Sequence, residues 1–242
     1  MKLKTIPVDC ACLIHGNAYD WAYVDKLYAM LSRNFTDEVR LHVFTEAHRT
    51  VPEHLVKHSL EDWPGIQGPK RAWWYKMQMF NSRHFQGRLL YFDLDVVITG
   101  NLDWIQQLSS KYFWTIHDFK YLWRPEWAGL NSSMMYWDTT RFDKIYQEFT
   151  RHPIDTLVRK YPGDQDYLTS VLNPAEIQFF EQDRIKSWRW QIKDGGMDMR
   201  TRKYNRPGAG SVLSPNTQVM VFHGKPKPHE VLDNLVAQHW RL

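Results

Sequence analysis

The residues best suited to chemistry are two aspartates one residue apart, Asp93 and Asp95, within the stretch RLLYFDLDVVIT at 88–99. This apolar, β-branched run, closed by Gly100, is the strongest strand signal in the chain. On a strand, side chains at i and i+2 project to one face about 7 Å apart. Two carboxylates there lose much of their hydration unless a cation compensates. A hard divalent ion, Mn²⁺ or Mg²⁺, is the natural partner, and it would keep coordination sites free for a diphosphate. The other reading of the spacing is a solvated strand end with turn-forming aspartates.

Other segments carry chemistry only in context. His223-Gly224-Lys225-Pro226-Lys227-Pro228 follows a short strand at 219–222, and Gly163-Asp164-Gln165-Asp166 opens a helix at 165–172 with Asp164 as N-cap. The first strand, at 8–14, breaks at His15-Gly16-Asn17, just before Tyr19. Taken singly, His223 is one of eleven histidines, Lys225 and Lys227 are surface lysines, and Asn131 is a turn residue. Tyr19 reads equally as a core aromatic opening a helix, and Lys76 as the solvated face of one. No Ser/His/Asp or Cys/His arrangement for nucleophilic catalysis stands out.

These residues need elements to position them. Strand-like runs at 8–14, 39–45, 88–99, 113–117, 132–137 and 219–222 alternate with helical spacing at 19–31, 70–80, 142–151, 165–172 and 230–240. Residues 52–69 read mostly as loop, and 173–190 as a short strand mixed with loop. Residues 193–215, with four glycines and two prolines, are the most loop-like region and have the composition of a lid. The alternation predicts an α/β fold: a mainly parallel sheet flanked by helices, with its active edge at the strands' carboxyl ends.

Composition sets the bounds. At 242 residues, 43% hydrophobic and 24% charged, the chain can bury a sizeable core. A formal net charge of +4 welcomes a phosphate but does not argue for nucleic acid. No apolar run reaches the roughly 18–20 residues of a membrane span. The basic start, MKLKTIPVDCACLIHG, has too short an apolar stretch for a secretory signal. Cys10 and Cys12 lie at i and i+2 on one strand, which predicts reduced thiols and a cytoplasmic protein. Aromatics reach 15%, an excess suited to stacking bases or sugar faces; Trp123, Trp127, Trp137, Trp188 and Trp190 are candidate platforms.

Two families place D-x-D after an apolar strand. FDLDVVIT is similar to the haloacid-dehalogenase-type phosphatase motif, with echoes of its later motifs in GKPKP and GDQD. Their order is reversed here, and almost ninety residues precede the acidic strand, so that phosphatase remains an alternative only. The stretch RLLYFDLDVVITGNLDWI resembles instead the D-x-D region of retaining glycosyltransferases of family eight, the glycogenin-like enzymes and lipopolysaccharide galactosyltransferases. Three further segments match in family order: GLNSSMM at 129–135 resembles FNSG(V/L), GDQDYL at 163–168 resembles the DQD motif, and VFHGKPKP at 221–228 resembles H-x-x-G-x-x-K-P. There are departures: His223 and Gly224 are adjacent, Ser133 replaces a glycine, and His229 stands where tryptophan is usual.

The resemblance implies a single GT-A domain over 1–242 that moves a hexose from a UDP-sugar to the hydroxyl of a glycan or other acceptor, with retention of configuration. It implies metal ligation by Asp93, Asp95 and His223, with Asp93 also bridging to the ribose. It implies donor contacts from His15, Gly16, Asn17, Tyr19 (a uracil stacker), Lys76, Asn131, Gly224 and Lys227. Asp164 would bond donor-sugar hydroxyls, and the Gln165 side chain would lie by the anomeric carbon, stabilising an oxocarbenium-like state rather than attacking. A front-face reaction, with the leaving phosphate oxygen as base, needs no protein base. A silent nucleotide-sugar-binding module with the same fold is the remaining alternative.

Overall fold

The computed structural model describes residues 6–66 and 69–242. β1 (Val8–Leu13) is apolar on both faces, so it occupies the interior of a seven-stranded sheet. It lies between two parallel neighbours, β2 (Val39–Glu46) and β4 (Arg88–Phe92). β3 (Val56–Leu60) adds parallel to β2 at one edge. Beyond β4, β7 (Leu130–Asp138) runs antiparallel and is followed by β6 (Phe113–His117) and β8 (Ile177–Phe179). The order β3-β2-β1-β4-β7-β6-β8 reverses direction in sequence between β1 and β4. Open α/β sheets offer a ligand crevice at such a reversal, outside the strands' carboxyl ends.

Strand alternation divides the core in two. Cys10, Cys12, Leu90, Phe92, Met134 and Tyr136 point to one face, and Ala11, Leu89, Tyr91, Met135 and Trp137 to the other. Over the first face packs α1 (Ala22–Asn34), whose Tyr23, Val24, Leu27, Met30 and Leu31 recur at helical spacing. The same face holds a three-stranded sheet, in which β12 (Val219–Val221) lies between β5 (Val96–Ile98) and β9 (Ile185–Ser187). The second face is covered by a run of 3₁₀ turns at Pro69–Phe80, then α2 (Thr139–Phe142), α3 (Lys144–Thr150), α4 (Ile154–Lys160) and α5 (Asp164–Val171). A small hairpin of β10 (Met197–Asp198) and β11 (Lys203–Tyr204) and a last helix, α6 (Asn234–His239), complete the chain.

Several sequence expectations change. The single strand expected at 88–99 is two, β4 in the large sheet and β5 in the small one, with Asp93-Leu94-Asp95 in the turn between them. The Asp93 amide donates to Ser133 O (2.8 Å) on β7, the Val96 amide donates back to Asp93 O (3.2 Å), and the chain then pairs with β12. Residues 52–66 contain β3, an edge strand whose pairing with β2 comes from tertiary context rather than local pattern. Gly163, not Asp164, is the residue at the N-cap of α5, and Asp164 is the first helical residue. The loop expected over 193–215 contains the β10–β11 hairpin. Cys10 and Cys12 are free thiols, both fully buried.

Candidate active site

The reversal between β1 and β4 brings two chain segments together at the carboxyl ends of those strands. After β1 come His15, Gly16, Asn17 and Tyr19; after β4 come Asp93 and Asp95. The turn sends the two carboxylates to different partners, so they do not stand side by side on one strand face.

Asp93 follows Tyr91 at i+2 and points to the face covered by the 3₁₀ run, where Lys76 sits. Lys76 is only 6% exposed, yet it keeps its charge because carboxylates surround it. Its Nζ lies 2.8 Å from Asp93 Oδ1 and 3.4 Å from Asp164 Oδ2, and it donates to Ser132 Oγ at 3.3 Å. Burial opposes its charge, but Asp164 and Asp93 overcome that and hold its pKa above the ordinary lysine range. Burial likewise opposes ionisation of Asp93. Lys76, with bonds from Tyr91 (2.6 Å) and Ser133, outweighs it and keeps this carboxyl below its usual pKa. Ser132 Oγ donates to Asp164 Oδ2 at 2.6 Å, which fixes that carboxylate and leaves Oδ1 without a donor among the described residues.

Asp95 turns toward α1 and the C-terminal segment. Its Oδ2 pairs with Lys227 Nζ and accepts from Tyr19 OH at 3.0 Å. Asp95 is 5% exposed, and burial followed by the Asp93 charge raises its pKa despite Lys227 and Tyr19. The two carboxylates of the turn are thus held in unlike surroundings, Asp93 against a buried lysine and Asp95 against a partly exposed one. Burial and the Asp95 and Asp93 charges push the Tyr19 phenol up, so it remains a hydrogen-bond donor.

The residues that could hold a divalent cation here are Asp93 and Asp95, each of which also carries a lysine partner. Two hard carboxylates flank the turn, and Oδ1 of Asp95 has no donor among the described residues. The expected third ligand does not join them. His223 Nε2 lies 2.6 Å from Ser187 Oγ, and its ring packs against Phe119 (5.5 Å between centroids) and Trp190 (4.1 Å). Burial, followed by the Arg189 charge, holds its pKa down to about 4, so the imidazole is neutral near pH 7. Among the described residues no group of three or more His, Cys, Asp and Glu side chains is placed to hold a metal ion. The expected set Asp93, Asp95 and His223 is therefore not brought together: His223 stands apart from the two carboxylates. The cause is the three-stranded sheet, which aligns Val221 with Ser187 and delivers the residues after β12 to β9.

The remaining expected site residues divide between the cluster and its surroundings. His15 stacks on Tyr75 with centroids 4.0 Å apart. Gly16 adopts φ +66° and donates its amide to Glu46 Oε1 (2.6 Å), while Asn17 is exposed at the crevice. Asn131 is buried on β7 and its Oδ1 accepts from the Ser133 amide (3.0 Å), so it shapes the strand beside Asp93. Gln165 is half-buried in the first turn of α5, next to Asp164. Gly224, at φ +73° with nothing within 4 Å of a Cβ position, sits in the segment that carries Lys227 to Asp95. Of the tryptophans, Trp137 and Trp188 are core, whereas Trp123, Trp127 and Trp190 are partly exposed. Sequence reasoning gave no role to Tyr91 or Ser132. Their signal was position alone, two residues before Asp93 and inside the GLNSSMM segment.

Glycosyltransferases are among the solved structures that share this fold. The galactosyltransferase LgtC, in complex with donor and acceptor sugar analogues, matches with a TM-score of 0.66 at 12% identity, covering 97% of this chain and 97% of that one. The glycosyltransferase GlyE of Streptococcus pneumoniae matches at 0.65 and 13% identity, over 96% of this chain and 60% of GlyE. Mouse xyloside xylosyltransferase 1 matches at 0.52 and 15% identity, over 91% and 98%. No protein-family model and no curated sequence relative matches the chain. At these identities the likeness establishes the fold, which is the GT-A type that the motif order implied.

Proposed function

We propose that the chain, as one GT-A unit, transfers a hexose from a UDP-sugar to an acceptor hydroxyl with retention of configuration, assisted by Mn²⁺ or Mg²⁺. The observation that carries this reading is the charge cluster at the β1–β4 crevice. There a lysine from far along the chain reaches Asp95, and a buried lysine ties Asp93 to Asp164. The glycosyltransferase fold supports it, and so does a solved neighbour that takes donor and acceptor sugar analogues.

Each residue has a task in this reading. Asp93 and Asp95 would hold the divalent ion, which when bound would supply Lewis-acid neutralisation of the leaving diphosphate. Lys227 brings a point charge to the same phosphates, and the open backbone at Gly224 lets them approach. Lys76 and Ser132 orient Asp164, whose Oδ1 is available to accept from a donor-sugar hydroxyl. Gln165, one residue on, presents its amide dipole beside the anomeric carbon. Tyr19 bonds Asp95 through its hydroxyl and offers a ring face to the uracil. The two buried free thiols support a reducing compartment, and we place the reaction in the cytoplasm. Among the described residues no helix is long and apolar enough to cross a membrane.

Isothermal titration with UDP, with Mn²⁺ and then with chelator, tests the reading together with UDP release from a panel of UDP-sugars. Metal-enhanced UDP binding and slow sugar release are expected. UDP binding without any turnover would leave a silent binding module. Phosphate release from a generic ester, with no affinity for UDP, would replace the transferase by a phosphatase.

A further inference from the structure

Beside the donor crevice lies a cavity of about 610 Å³, within the usual range for small-ligand sites. Its apolar wall includes Trp190, Ile192 and Leu213, and its polar wall includes Lys186, Asn205 and Arg206. Two cations and no carboxylate line it. The three-stranded sheet fixes its place. Val96, Val221 and Ser187 form one row, so the acidic turn precedes one outer strand while the cavity's Trp190 follows the other. Two strand spacings put those outer strands roughly 10 Å apart.

The surrounding charge is lopsided. Residues 186–206 carry seven basic side chains against two acidic ones, Asp194 and Asp198. Both acids serve the backbone. Asp194 Oδ1 accepts from the amides of Gly208 (3.1 Å) and Gly210 (3.0 Å), and Asp198 Oδ1 from those of Arg200 (2.8 Å) and Thr201 (3.1 Å). The cations find few counter-charges. Arg202 lies over the Trp123 ring at 4.8 Å and Lys193 over that of Tyr204 at 4.9 Å. Lys186 pairs at 3.0 Å with Asp183, a side chain 77% exposed, and a pair that open to water is weakly held, so Lys186 can be recruited by another anion. Arg206 makes no ion pair among the described residues. An uncompensated positive field focused into a concave, tryptophan-walled cavity suits an anionic sugar better than a flat lipid surface. Over residues 186–215 Val212 is the one large apolar side chain exposed among the described residues, too little to anchor a membrane.

We infer that this cavity is the acceptor site and that it takes a saccharide bearing an anionic group, a carboxylate or a phosphate. In this arrangement the sugar ring lies against Trp190, the anion meets Arg206 and Lys186, and a hydroxyl faces the donor crevice across β12. The inference rests on the transferase reading above and adds the chemical class of the acceptor.

The test uses the full chain with UDP-glucose and UDP-galactose. Glucose, glucuronate and glucose 6-phosphate are added as acceptors at low and at high salt. UDP release above donor hydrolysis is followed, and products are identified by mass. One or both anionic sugars should half-saturate at concentrations at least about ten-fold below glucose, with the advantage shrinking at high salt. Which of the two responds separates carboxylate from phosphate. Arg206→Gln and Lys186→Gln should each reduce that advantage several-fold, with UDP affinity on the same proteins reporting the donor site. Equal half-saturation, or no response to either anionic sugar, overturns the inference while UDP binding and hydrolysis leave the transferase reading standing. Binding to phosphatidylglycerol vesicles without anionic-sugar preference overturns it in favour of a membrane patch. Absence of UDP binding and of hydrolysis removes both readings together.

Discussion

Replacing Lys76 by methionine removes the cation on which the buried half of the site depends. Lys76 is 6% exposed, and it faces Asp93 and Asp164 together. Breaking a buried ion pair by deleting one partner costs about 3–5 kcal/mol. Asp93 retains its bond from Tyr91 and Asp164 retains Ser132, so the lower end, about 3 kcal/mol, is expected. For a chain of this length that is a fall of about 6–12 °C in Tm. The pH dependence is the sharper signature. In the native protein the Asp93 pKa is depressed, so its contribution is present above the unfolded carboxylate value and lost as pH falls through the folded one. Without Lys76, burial and the charges of Asp95 and Asp164 act unopposed. The folded Asp93 pKa then lies above its unfolded value, so the variant's deficit against the parent protein narrows as pH falls from about 7 to about 5. Urea unfolding of both proteins at those two pH values measures the effect. A loss under about 1 kcal/mol with no pH-dependent narrowing of the gap would refute the view that this one buried ammonium stabilises both carboxylates.

Asp95→Asn should abolish the metal-promoted part of UDP affinity, about ten-fold or more by calorimetry, with the thermal transition little changed; retained promotion would remove the acidic pair as the cation site. His223→Ala should keep Mn²⁺-dependent UDP affinity within about three-fold of the parent protein, since the imidazole faces Ser187. A loss equal to that of Asp95→Asn would show that His223 reaches the ion once the donor is bound. Asp164→Asn should lower sugar release from UDP-sugars by about 100-fold while UDP itself still binds, and equal losses of both would assign Asp164 to the nucleotide instead. Thermal stability should decline as pH falls from about 6.5 toward 4. His58 and His223 both have folded pKa values near 4, so each disfavours the charge that the unfolded chain accepts more readily. Burial, then His42 and His84, opposes the charge on His58. A flat Tm across that window would contradict the burial of these imidazoles.

Much of the fold was legible because its signals are local. The apolar run of β1, the alternation in β2 and the helical spacing of α1 each mark a segment's conformation by short-range periodicity. The acidic pair, the GLNSSMM and GDQD segments and the Lys-Pro loop were legible as residue types in a recurring order, which gave the GT-A fold before any contact was visible. β3 was missed because an edge strand of mixed polarity takes its conformation from its neighbour, and the 88–99 run was read as one strand because periodicity cannot report a change of sheet.

The sequence by itself determined which residues carry charge and which segments bury: Asp93 and Asp95 after an apolar strand, Lys76 on an amphipathic run, His223 and Lys227 beyond the last strand. Tertiary structure alone decided who faces whom. The turn after β4 sends Asp93 to Lys76 and Asp164, and Asp95 to Tyr19 and Lys227. The register of β12 against β9 hands His223 to Ser187 rather than to the acids. Local pattern fixes the direction of a side chain relative to its own strand or helix. The partner at the end of that direction depends on sheet order and register, which arise from pairings between segments dozens of residues apart.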